Sequence, residues 1–74
     1  MSYNSDLRIT VNNVNDMLKR LGRDERVRIT RSYGNTRLEI DMPSGSFWET
    51  KPRGAKDCLM YAEGMERLMQ ALTH

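Results

Sequence analysis

The chain has 74 residues, with twelve Lys and Arg against ten Asp and Glu, one His and one Cys. That length supports one small domain, which buries only about 60% of its unfolded surface and often gains stability by oligomerising. A single Cys excludes an intrachain disulfide and fits a reducing cytoplasm, while no apolar run approaches the ~20 residues of a membrane span or follows a basic N-terminus.

Residues 1–6 are polar and expected to fray. Leu7, Ile9 and Val11 alternate as in a strand, but Val11, Val14, Leu18 and Leu21 recur as one stripe of a helix. The spacing predicts a helix from Thr10 to Leu21, capped by Thr10 and ended by a left-handed Gly22. Residues 26–42 predict a β-hairpin with Gly34-Asn35 as its two-residue turn. That turn pairs Tyr33 with Thr36, Arg31 with Leu38, Ile29 with Ile40 and Val27 with Met42 on the core face, where Arg31 is the exception. The opposite face sets Arg28 against Asp41, Thr30 against Glu39 and Ser32 against Arg37, a charge-matched surface.

A turn at residues 43–45 leads to a third strand, Ser46–Thr50. Phe47 and Trp48 are neighbours and must point to opposite faces, so helices on one face leave one of these aromatics outside the core. The last helix is expected from Pro52 or Ala55 to Leu72, burying Cys58, Tyr61, Ala62, Met65, Leu68, Met69 and Leu72. The implied fold is α+β, a three-stranded antiparallel meander with two helices on one face, in the order α-β-β-β-α within a single domain, 1–74.

Charge is segregated along the chain. Between residues 19 and 37, seven cations (Lys19, Arg20, Arg23, Arg26, Arg28, Arg31, Arg37) stand against Asp24 and Glu25. Residues 51–56 add Lys51, Arg53 and Lys56 with no carboxylate. Nine of the twelve cations are Arg, whose planar fork suits phosphate or carboxylate. Cations at a helix N-terminus oppose its dipole, so three at the start of the last helix mark a place for an anion. Phe47 or Trp48 would offer a stacking face, and Arg28, Arg31, Tyr33 and Arg37 are secondary contacts. Catalytic and metal signatures are missing from the sequence: the lone His is His74, Cys58 reads as a core residue, and no zinc, Ca²⁺ or phosphate-loop spacing occurs. No cofactor is expected. Gly64, with Met60 and Ala71, lies off the main stripe of the last helix, where a second subunit's helix would approach closely.

The element order and the run Pro52-Arg53-Gly54-Ala55-Lys56 resemble the double-stranded-RNA-binding domain, matching its basic helix start at Arg53, Ala55 and Lys56. That resemblance implies phosphate contacts across a groove. Tyr33-Gly34-Asn35-Thr36 is a tight turn where that family carries a Gly-Pro-x-His loop. A short amphipathic helix, the hairpin YGNTRLEI and then TKPRGAKDCLMYAEGM, with Gly64-Met65 inside the helix, also resemble small accessory proteins of bacteriophages. That resemblance implies a class of possibilities, among them inhibitors of host defence that act in the host cytoplasm by sequestering a nucleotide signal or blocking an immune nuclease complex. The residues themselves are read as a non-enzymatic, homo-oligomeric binding protein for an anionic partner. The alternatives are a nucleic-acid-binding domain using the same cations, or a structural or assembly protein acting as an oligomer.

Overall fold

The computed structural model describes residues 2–73; Met1, in the segment expected to fray, and His74 lie outside the described residues. The elements are α1 (Tyr3–Arg20), β1 (Arg26–Ser32), β2 (Asn35–Asp41), β3 (Phe47–Glu49) and α2 (Ala55–Thr73), with the three strands forming one antiparallel sheet in the order β1-β2-β3. The expected α-β-β-β-α order of a small α+β domain is present.

Helix α1 starts seven residues before the expected Thr10 cap. Ser2 is the N-cap, its Oγ accepting from the Asn4 and Ser5 amides, and Asp6 complements the dipole in the first turn. Leu7 decides the choice between strand and helix. In helical phase it joins Val11 and Val14 as a fully buried residue, while Ile9, its partner in strand alternation, is exposed. Burying Leu7 is worth about 1.5–3 kcal/mol, and the Ser2 cap adds about 1 kcal/mol. Together they outweigh the penalty of up to ~0.7 kcal/mol each for Ile9, Thr10 and Val11 in a helix. Thr10 is buried in the helix rather than capping it. The C-terminus ends as expected at Gly22 (φ +74°): its amide bonds Lys19 O at 3.0 Å and the Arg23 amide bonds Leu18 O at 2.9 Å.

The hairpin forms, but two residues out of the expected register. The turn is Tyr33-Gly34, both at positive φ (52° and 79°), and Asn35 joins β2 opposite Ser32. Val27 then faces Ile40, Ile29 faces Leu38 and Arg31 faces Thr36. Positive φ at Tyr33 costs on the order of 1–3 kcal/mol. The Gly34-Asn35 register would have set Arg31 against Leu38, which is fully buried, and that cost is larger. A slip of two residues preserves which side chains share a face. Two of the three polar pairs expected across the hairpin therefore survive as diagonal contacts, Thr30 Oγ1 donating to Glu39 at 3.0 Å and Arg28 pairing with Asp41 at 3.2 Å. Arg37, expected opposite Ser32, instead stands opposite Thr30 and pairs with Glu49.

Strand β3 is shorter than expected, with Trp48 opposite Ile40 and Phe47 opposite Asp41. Both aromatics are more than half exposed, so the core excludes the pair rather than one of them. One cluster unites Leu7, Val11 and Val14 of α1, Val27 and Leu38 of the sheet, and Cys58, Leu59 and Ala62 of α2. Tyr61, Met65 and Met69 flank it as expected. Leu68 and Leu72, placed in the buried stripe by periodicity, are instead exposed, because α2 runs on past the edge of the core, and Leu59 takes a buried place the stripe omitted.

Candidate functional site

Strand pairing and helix starts place the cations. Thr36, at the hairpin end of β2, accepts from the Gly54 amide at 2.9 Å and from the Cys58 thiol at 3.4 Å, which seats the start of α2 beside the hairpin tip. Across the ladder from Thr36 lies Arg31, which with Ile29 lines a groove against Asn4, Ser5 and Arg8 of α1. The start of α1 is therefore at the same end. At the opposite end, Leu18 and Leu21 of α1 share a groove with Met69 and Leu72 of α2. The two helices thus run in the same sense and aim both N-termini, with their partial positive charge, toward the hairpin tip.

The expected site residues divide into tied and open groups. Arg53 Nη1 donates to the carbonyls of Thr50 (3.0 Å), Lys51 (3.0 Å) and Pro52 (3.3 Å), and its Nη2 lies 3.1 Å from Glu49. Its guanidinium thus closes the loop before α2. Arg37 Nη1 reaches the same Glu49 oxygen at 2.9 Å, while its Nε is buried without an acceptor. Arg28 pairs with Glu39 at 2.8 Å as well as with Asp41. These three Arg residues hold carboxylates on the sheet and are neutralised there. Arg31, Lys51 and Lys56 are exposed and, among the described residues, have no carboxylate partner.

Tyr33 is fully exposed at the tip. Phe47 and Trp48 lie four to five residues along β2 from Thr36, about 13–16 Å at strand rise. The structure therefore sets the aromatics away from Arg31 at the hairpin tip, while Lys51 follows Trp48 by three residues, within about 10 Å along the chain.

Arg8, Asn4 and Ser5 were missed. They come together only on a helix that already runs through residues 4–8, and the signal for it was Leu7 in phase with Val11 and Val14. The groove they form with Ile29 and Arg31 has a volume of about 530 Å³. Asp6, in the same helical turn, does not line it.

Cys58 is fully buried, and burial pushes its thiol above the ordinary range, with Asp57 adding to the shift. It is a protonated core group that donates to Thr36. Among the described residues no group of three His, Cys, Asp or Glu side chains is placed to hold a metal ion, and no helix is long and apolar enough to cross a membrane. No family model matches the chain, and no curated protein or solved structure is similar to it.

Proposed function

We propose that this is a non-enzymatic binding protein that captures an anionic partner at its hairpin-tip end, through Arg8, Arg31, Lys51 and Lys56. One observation carries the reading: of the seven cations without a carboxylate partner among the described residues, Arg8, Arg31, Lys51 and Lys56 lie at the end where both helix N-termini point. Lys19, Arg26 and Arg67 lie away from it, and Arg28, Arg37 and Arg53 are held by Glu39, Asp41 and Glu49. Fixed dipoles and mobile side chains there attract negative charge together. In our reading both helices cover one face of the sheet and leave the charge-paired face free. Neutralisation of that face favours a compact anionic group over a long phosphate backbone. In the setting implied by the resemblance to phage accessory proteins, the partner is a nucleotide signal or a surface of a host nuclease complex.

Fluorescence anisotropy with labelled oligoglutamate tests the site. Two double variants, Arg8→Glu with Arg31→Glu and Lys51→Glu with Lys56→Glu, are each expected to weaken binding roughly tenfold at low salt. Unchanged affinity in both overturns the assignment. Duplex RNA in the same assay tests the phosphate-backbone alternative, which requires an affinity that falls steeply and linearly on a log–log salt plot.

A second reading concerns the other end. Leu18, Leu21, Met69 and Leu72 line a groove of about 470 Å³ edged by the Arg23–Glu25 ion pair, and Leu68 is exposed nearby on α2. We assign self-association to this surface, as its apolar exposure favours. Light scattering at high concentration should give a dimer or larger species that Leu72→Glu returns to monomer; a strict monomer rejects the assignment.

A further inference from the structure

The open edge of β1 lies in the same groove as Arg8 and Arg31. The Thr50 amide bonds Leu38 O at 3.0 Å, so the Leu38 main chain faces β3, and its partner Ile29 turns its own N–H and C=O away from β2. Two residues on, Arg31 has the same parity, and two residues back so does Val27. The chain satisfies Val27 itself. Asn15 of α1 accepts from the Val27 amide at 2.7 Å and donates to its carbonyl at 2.9 Å, as a neighbouring strand would. Ile29 and Arg31 have no main-chain partner among the described residues. Beside them the helix stands off the strand, leaving the groove lined by Asn4, Ser5 and Arg8.

We propose that this groove binds an extended acidic peptide segment as a fourth strand, paired to the main chain of Ile29 and Arg31, with its carboxylates toward Arg8 and Arg31. The proposal rests on the anion-capture reading and adds how the partner enters. Three observations converge: unpaired strand-edge groups, a cavity open beside them, and two guanidiniums without carboxylate partners among the described residues. Edge strands left open in this way template strand addition, in which main-chain bonds supply affinity and flanking side chains supply selectivity. The Asn15 clamp ends the site, so about three residues of the segment pair, spanning about 10 Å.

The test uses the full chain and a fluorescein-labelled peptide of alternating Glu and Val, together with two N-methylated versions, one blocked at the Glu amides and one at the Val amides. The parent peptide should bind, at least one methylated version should lose tenfold or more, and amide exchange at Ile29 and Arg31 should slow tenfold or more at saturation. Arg8→Glu with Arg31→Glu should abolish binding, while Lys19→Glu, on the far half of α1, should leave it unchanged. If both methylated versions bind like the parent while the double variant still loses affinity, strand addition is overturned and anion capture stands. If oligoglutamate binds and the alternating peptide does not, strand addition is likewise overturned. If neither acidic probe binds, both readings fail.

Discussion

Removing the Asn15 side chain tests the geometry on which the groove depends. The Asn15 amide makes two hydrogen bonds to Val27, at 2.7 and 2.9 Å, across a half-buried contact between α1 and the edge of β1. Each is worth about 1 kcal/mol net, and a released main-chain group that stays dry costs about 1–3 kcal/mol. The two bonds are part-buried, so Asn15→Ala should cost about 2 kcal/mol, and a domain of this size then loses roughly 8–16 °C in Tm. Urea unfolding followed by circular dichroism measures the loss, with the m-value unchanged. Asn15→Asp separates the two bonds. Its carboxylate still accepts from the Val27 amide but sets an anionic oxygen against the Val27 carbonyl; protonation restores a donor. Asn15→Asp should therefore recover stability relative to Asn15→Ala as the pH falls toward the carboxylate range. A loss below about 0.5 kcal/mol for Asn15→Ala, or no pH-dependent difference between the two variants, would refute the clamp.

Tyr33 holds positive φ with no buried contact, so Tyr33→Gly should stabilise the protein by about 1 kcal/mol in urea unfolding; a loss of stability would reject the Tyr33-Gly34 turn. Arg53→Ala should cost about 1–2 kcal/mol through its carbonyl bonds, most of it outside the solvent-screened pair with Glu49, whereas Lys56→Ala should change stability by less than about 0.5 kcal/mol. Equal effects in thermal denaturation would contradict the division into tied and open cations. Cys58 is held protonated in the fold, above its unfolded value. Its contribution is therefore fully present below that value, near pH 8.5, and is lost as pH rises toward the folded value. Wild type should lose stability against Cys58→Ala over that alkaline range, and a constant difference between them would show that the thiol is not desolvated.

Much of the architecture was legible because single residues with strong local physics decide it. Gly22 stops α1, alternation from Val27 to Ile40 sets the sheet faces, and Cys58 and Ala62 mark the core side of α2. What escaped was decided at longer range. The hairpin register depends on whether Tyr33 or Asn35 bears the positive φ, and apolar pairing of Ile29 with Leu38 outweighs local turn preference. The early start of α1 depends on Leu7 finding the core. The basic run at residues 51–56 was visible, yet its partition was not: Glu49, four residues before Arg53, claims both Arg53 and Arg37 once β2 and β3 pair. Arg8 carried no signal by itself and acquires one only beside Arg31.

The central claim is that open cations at the hairpin-tip end, and not the paired Arg residues of the sheet, receive an anionic partner. Nuclear magnetic resonance titration with oligoglutamate, following main-chain amides and Arg Nε–H groups, tests it most directly. The account predicts shifts at Arg8, Ile29, Arg31, Lys51 and Lys56, with Arg28, Arg37 and Arg53 side chains unmoved. Shifts centred on Arg28, Arg37, Arg53 and Phe47, or none at all, would contradict it.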